Sequence, residues 1–407
     1  MRILYVGYPV DRTRVREWPG PSVAGNKLEH GVIQGFRDAS GGRLDALSIT
    51  PVAMYPASRH LVSPGRRFRI GSLKVEAVPF VNLPLVKQAT IMVRLFFALL
   101  AFMGARRNGE AKAILTYNAA SLVALPLLAA SLFGRAARIC LLSDPPLDLS
   151  GRRDWKTPLR ALDNRIFAWA VRRYDGIIAA NGHAAARYAP RVPCLVIGGG
   201  VDVPDVPADE DICETIADGK FHLMYAGALT EYNGVPALLE AAASLDYRFV
   251  LHVFGGGPLA GLVEKTAGKC PRIVSHGPRA HEEVLGWQRK VDLLVNPKDL
   301  ADPISAYSFP SKLLEYLQSG TPVLSTLVRV HDPSLFDHLY LARDGSAAGL
   351  AEAVRRVADL PEEERLRKGR GAKAYVEKAY AWGRIGAAAY SFIAGIAETR
   401  QRGAETG

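Results

Sequence analysis

Short apolar runs rich in Val, Ile and Leu recur along the whole chain, and stretches of helical character with turn signals separate them. Runs of this kind read as strands buried on both faces, and the helices between them make the crossovers of a parallel sheet. The pattern therefore predicts an α/β chain. In the first half, strands are expected over Ile3–Val6, Leu73–Pro79 (an edge or crossover strand), Ala113–Thr116, Arg138–Leu142, Gly176–Ala179 and Cys194–Ile197. Helices are expected over Asn26–Arg37, opened by Gly25, and over Thr90–Met103, Ala119–Phe133 and Pro158–Arg172.

The alternation then stops and restarts. Asp202–Asp218 is rich in Asp, Glu and Pro, has no Lys or Arg, and reads as a linker. Beyond it come strands at Phe221–Tyr225, Phe249–Phe254, Arg272–Ser275, Asp292–Asn296 and Val323–Thr326, with helices at Pro236–Ala243, Glu282–Arg289 and Pro310–Gln318. A charged helix is expected over Glu362–Lys378, and a last one over Tyr380–Thr399 despite Gly383, Gly386 and Gly395. For 407 residues two domains are expected. The boundaries are 1–204, 205–378 and a terminal helix in 379–407. In such doubly wound sheets ligands bind at the carboxyl ends of the strands.

The formal net charge is +11, and basic clusters such as Arg66-Arg67-Arg69 and Arg172-Arg173 lie in the first half. An anionic membrane surface, a polyphosphate ligand or simply solvated faces all fit. No basic motif is interleaved with aromatic residues, which argues against nucleic acid. The longest apolar stretches, Ala89–Ala105 and Ala119–Phe133, fall short of the roughly 20 residues of a spanning helix, so no transmembrane segment is expected. Met1-Arg2 leads directly into a core strand, with no signal-peptide pattern. Four scattered cysteines argue against a zinc site or a disulfide framework and suit a reducing cytoplasm. His30, His183 and His276 have no partners at metal-ligand spacing. Gly255-Gly256-Gly257 follows a strand but lacks the G-x-G-x-x-G spacing of a dinucleotide site.

Ser308–Leu324 is the most informative stretch. Pro310 suits a first helical position, Gly320 a position just past the helix end, and Pro322 forbids continuation. The start of that short helix offers free N–H groups and partial positive charge, which suits a phosphate. Lys312 in the first turn opposes the helix dipole unless an anion is bound there. Glu315 is placed to accept from sugar hydroxyls. The plain alternative is a surface Lys312–Glu315 pair, worth only ~0.2–0.5 kcal/mol.

This stretch resembles the donor-site signature of retaining glycosyltransferases of family 4, and specifically a branch that builds exopolysaccharides and lipopolysaccharide-type glycans. Gly199-Gly200-Val201-Asp202, Tyr225–Gly234, and Phe254–Pro258 with His276-Gly277-Pro278 match further motifs in order. The resemblance implies the GT-B fold: two Rossmann-like doubly wound domains facing across a cleft, the last helix packing back on the first. It implies sugar transfer from a nucleoside diphosphate to a glycan or polyprenyl-linked acceptor with retention, no bound metal and no cofactor. By position, Glu315 would bind the ribose, and Ser311, Lys312, Gly227, Thr230 and Asn233 would surround the diphosphate. Gly277 and Pro278 would read the base, Gly25 would lie in a loop facing the phosphates, and Ser143 and Asp144 would position the acceptor or the transferred sugar. Asp144 as a plain helix cap remains the alternative.

Three positions depart from the pattern. Tyr307 stands where the first Glu of the E-x7-E motif is expected, and Ala228 and Asn233 stand where Arg and Lys are usual. The resemblance makes Lys312, with the helix N-terminus, the expected substitute cation, and the Tyr-Ser-Phe-Pro-Ser-Lys pattern looks like a feature of the branch. The competing function is a non-catalytic binding protein with a degenerate donor site; an epimerase would need carboxylates and histidines the sequence does not show. The basic first half and the apolar helix leave two locations open, the free cytoplasm or the inner face of the cytoplasmic membrane.

Overall fold

The computed structural model describes residues 1–11, 23–105, 110–143, 145–146, 157–202, 216, 218–298, 311–328 and 332–405, except the side chains of 23, 24, 311 and 403–405. The chain divides into two compact units. One holds Met1–Gly200 and Trp382–Gly407, the other Val201–Ala381.

The first unit is built on β1 (Arg2–Gly7), α1 (Val23–Ala39), β2 (Leu44–Ser48), β3 (Val62–Ser63), β4 (Arg67–Ile70), β5 (Leu73–Ala77), β6 (Phe80–Val81) and α2 (Val86–Gly104). β7 (Lys112–Tyr117), α3 (Ser121–Ala130), β8 (Ala137–Leu142), α4 (Thr157–Val171), β9 (Gly176–Ala179), α5 (Gly182–Tyr188) and β10 (Cys194–Val196) follow. Its described residues form an eight-stranded sheet in the order β10-β9-β8-β7-β1-β2-β5-β4. All neighbours are parallel except β4 on β5. The edge is therefore β4, whose exposed Arg67 and Arg69 guard it, and not the Leu73–Pro79 segment. β2 escaped the sequence reading because Asp45 interrupts its apolar run.

The second unit holds β11 (Phe221–Ala226), α6 (Val235–Ser244), β12 (Phe249–Phe254), α7 (Ala260–Ala267), β13 (Ile273–Gly277), α8 (His281–Gln288), β14 (Leu293–Asn296), α9 (Ser311–Ser319) and β15 (Val323–Ser325). A 3₁₀ turn at Pro333–His338, β16 (Tyr340–Leu341), α10 (Ala347–Ala358) and α11 (Glu362–Ala379) complete it. Its sheet runs β13-β12-β11-β14-β15-β16, all parallel. The order reverses at β11, between β12 and β14, so the switch point lies at the carboxyl end of β11.

The last helix, α12 (Trp382–Glu405), belongs to the first unit and packs along α1. The glycines that weakened its sequence signal have a local reason. A side chain at Gly386 would strike the backbone of Gly35, and one at Gly35 would strike the Trp382 carbonyl. The two helices approach too closely there for a Cβ. Gly383 and Gly395 face open space.

Two sequence expectations need correction. α2 begins four residues earlier than Thr90 and reaches 19 residues, so by length and apolar composition it does suffice to cross a membrane. Gly25 lies inside the first turn of α1, not in a loop ahead of it, because the helix starts at Val23.

Candidate functional site

The carboxyl end of β11 runs into the loop Gly227–Gly234. Asn233 Nδ2 and the Tyr225 hydroxyl both donate to the Ala228 carbonyl, each at 2.9 Å, and so fix the loop's shape. The Asn233 amide is thereby spent on the loop. Leu229 N donates to Gly256 O at 3.0 Å. A Cβ at Gly255 would strike the Gly227 carbonyl, and one at Gly257 the Leu229 carbonyl. The glycine triplet thus serves backbone-to-backbone packing of two loops. The Thr230 hydroxyl is buried and has no hydrogen-bond partner among the described residues.

α9 is anchored on the same strand end. The Tyr316 hydroxyl accepts from Ala226 N at 2.7 Å and donates to Ala226 O at 3.1 Å. At the helix end Gly320 takes φ +84°, as a terminating glycine does. One turn before Tyr316, this anchor lays Lys312 over the start of the loop. Its Nζ lies 5.3 Å from the centre of the Tyr225 ring, and a Cβ at Gly227 would land on the ammonium group. Gly227 is what gives Lys312 its space. No hydrogen bond or ion pair reaches Lys312 among the described residues. Burial pulls its pKa down to about 8; Glu315 opposes the shift and Lys298 adds to it. Lys298, buried two residues past β14, holds Thr326 Oγ1 on its carbonyl at 2.8 Å. Lys298 is thus near enough for its charge to be felt at Lys312.

Glu315 accepts from Gln288 Nε2 at 3.0 Å, and His281 Nε2 lies 3.8 Å from its other oxygen. The surface Lys312–Glu315 pair is not formed; the carboxylate is held from α8 instead. Gly277 ends β13 at φ +63° with open space beside it, and Pro278 follows next to Gly256. Gly227, Thr230, Asn233, Gly277, Pro278, Lys312, Glu315 and the backbone of Ser311 are all in the second unit. Tyr307 and Pro310 lie outside the described residues.

In the first unit, Ser143 follows the carboxyl end of β8, with its N–H donating to Asn118 Oδ1 at 3.0 Å. Gly25 is in α1 of the same unit, and Asp144 is outside the described residues.

Sequence reasoning missed Lys298, Gln288 and an imidazole ladder. Asp218 accepts from His222 Nε2 at 2.8 Å; His222 Nδ1 meets His252 Nε2 at 2.9 Å, and His252 Nδ1 meets His276 Nε2 at 3.0 Å. With the rings neutral, the Asp218 carboxylate fixes every tautomer in turn and leaves His276 Nδ1 as the terminal acceptor, next to Gly277. The rings lie on three adjacent strands, so no i,i+3 or i,i+4 spacing could reveal them. Among the described residues no cluster of three or more His, Cys, Asp or Glu is placed to hold a metal.

Residues 220–359 match the family model of glycosyl transferases group 1, about a third of the chain. The D-inositol 3-phosphate glycosyltransferase of Arthrobacter sp. (strain FB24) is 32% identical over 155 residues, which span 35% of this chain and 35% of that relative. Among solved structures, HepE of Anabaena in complex with UDP superposes with a TM-score of 0.65 at 14% identity, covering 97% of this chain and 100% of that one. An α,α-trehalose-phosphate synthase (UDP-forming) from Burkholderia xenovorans, in complex with glucose-6-phosphate, gives 0.63 at 11% identity over 97% and 100%. The fold is GT-B: α/β, with two Rossmann-like domains on parallel sheets.

Proposed function

We propose that this chain is a retaining glycosyltransferase of family 4, in the branch that builds exopolysaccharide and lipopolysaccharide-type glycans. It moves a sugar from a nucleoside diphosphate to a hydroxyl of a glycan or polyprenyl-linked acceptor, at the inner face of the cytoplasmic membrane. The observation that carries the reading is Lys312: a half-buried ammonium with no hydrogen bond or ion pair among the described residues, in the first turn of a helix, the end whose N–H groups have no partner within the helix. Burying a charge is costly unless it is paired, so a site of this kind calls for an anionic ligand. The buried, unpartnered Thr230 hydroxyl points the same way.

As the bond from the anomeric carbon to the diphosphate breaks, negative charge builds on the leaving oxygen. Lys312, with the amides that open α9, stabilises it, and Lys298 adds charge from β14. This is the largest single contribution available to such a reaction. Glu315, held by Gln288, orients the ribose, and Gly277 with Pro278 borders the base. Ser143 and Asp144 position the sugar or the acceptor. The similarity to the group 1 model over residues 220–359 supports the donor half of this reading.

The test is release of nucleoside diphosphate from UDP- and GDP-sugars by the full chain. The expected result is turnover with one of them, with the sugar retaining its anomeric configuration in the product, and a loss of about a hundredfold in Lys312→Ala. Unchanged turnover in that variant would overturn the role of Lys312. No binding of either nucleotide would leave the non-catalytic reading.

A further inference from the structure

We infer that the outer face of α2, with the ends of α3 and α4 beside it, is a docking surface for an anionic lipid bilayer. This deepens the location given under the proposed function, and it stands on residues of the first unit alone.

A helix that covers a parallel sheet buries one stripe and turns a polar stripe to water. α2 buries Ile91, Leu95, Leu99 and Phe102 on the sheet side. Its opposite stripe is also apolar: Val86, Val93 and Phe97 are 42%, 54% and 62% exposed. The buried side chains of α2 are confined to one stripe, so the helix lies at the surface of the unit. The apolar surface continues beyond it. Phe96 contacts the rings of both Phe97 and Phe133 edge-on, at 5.4 and 6.2 Å between centres. Phe133 and Leu132, just past α3, are 75% and 81% exposed. α3 packs between α2 and α4, and α4 exposes Leu159, Leu162 and Trp169. At the start of α2, Leu85 is 83% exposed and holds a left-handed φ of +61°, a conformation that costs free energy in a leucine. Exposed apolar side chains gathered on neighbouring helices in this way mark an interaction site.

Charge decides which partner fits. Among the described residues of α2, α3 and α4 the acidic side chain is Asp163, and its carboxylate already accepts from Ser121 N. Arg94, Arg160 and Arg165 are exposed on the same helices, and Arg173 stacks on the exposed Trp169 at 3.9 Å. Exposed apolar side chains and arginines on the same helices, with a tryptophan among them, suit the headgroup–acyl boundary of an anionic bilayer. α2 would lie in that boundary and not cross it, because its inner stripe is part of the unit's core.

The experiment is co-sedimentation of the full chain with vesicles of phosphatidylcholine alone or with about a third phosphatidylglycerol, at low and high salt. Binding to the anionic vesicles, weakened by salt, is expected. It should fall about tenfold or more in Phe97→Asp/Phe133→Asp and in Arg94→Glu/Arg165→Glu. Both double variants change exposed positions and should keep the wild-type circular dichroism and affinity for UDP. Three results would overturn the inference: no pelleting with anionic vesicles, pelleting unaffected by either variant, or lipid-independent self-association that Phe97→Asp/Phe133→Asp abolishes. The last would assign the face to a second copy of the chain. The assay reads no sugar transfer, so a failed transferase reading and a failed docking face give different results.

Discussion

A buried lysine stays charged only if something nearby repays its lost hydration, and at Lys312 the chain itself supplies little of that. Lys312 therefore ties donor binding to pH. Below about 8 its ammonium is present in the free protein; above that it is lost, and a bound diphosphate must bring a proton back with it. Affinity for UDP should be flat near neutral pH and fall as pH rises from 8 to 9, by up to about tenfold. Titration calorimetry across that range reads it, and Lys312→Met should remove the dependence. Gly227→Ala tests the same geometry from the other side. The added methyl takes the place of the ammonium. UDP binding should drop about tenfold or more through the lost charged hydrogen bond. The melting temperature should fall as well, because Gly227 holds φ +156°, which an alanine adopts only with strain. Lys312 was legible in the sequence because Pro310 and Gly320 frame its helix. Lys298 was not: it follows a strand as an ordinary Lys-Asp pair, and only the fold brings its charge beside α9.

Among elements, the packing of α12 on α1 and the imidazole ladder were both hidden in the sequence. Gly386 reads as a helix breaker, yet it permits a backbone contact with Gly35. Gly386→Val should force the helices apart and cost about 1–3 kcal/mol, seen as a lower denaturant midpoint. Strands rich in apolar residues, such as Gly176–Ala179 and Phe249–Phe254, were legible to the residue. α7 and α10 were not anticipated: α7 is only eight residues long, whereas α10 carries an apolar stripe of Leu350, Val354 and Val357 at helical spacing that the sequence reading passed over. The ladder makes its own prediction. Burial holds His252 and His276 well below the usual imidazole pKa, so the unfolded chain takes up protons first as pH falls below about 6.5. Their contribution is complete above that pH and is lost progressively below it. Urea unfolding at pH 7 and pH 5 should show the wild type losing stability on acidification. His252→Asn, less stable at pH 7 by about 1–3 kcal/mol, should lose less.

At the scale of the whole molecule, the two alternating halves and the acidic break between them point to two parallel-sheet units. The chain passes between units at Gly200/Val201 and again at Ala381/Trp382, where Val201 N donates to Tyr380 O at 2.9 Å. The predicted helix at Tyr380–Thr399 spans the second of these points, since periodicity reports a helix and not the body it packs on. The donor-side candidates Gly227, Thr230, Lys312 and Glu315 fall within one unit because their motifs sit at the ends of consecutive strands, which open sheets use for ligands. Ser143 and Asp144, in the other half, have no comparable local frame in the sequence. The central claim is that the second unit binds a nucleoside diphosphate through Lys312. Titration calorimetry of the full chain with UDP and with GDP tests it most directly. The account predicts saturable binding of at least one, weakened about tenfold to a hundredfold in Lys312→Ala. Binding of neither nucleotide, or equal binding by wild type and Lys312→Ala, would contradict it.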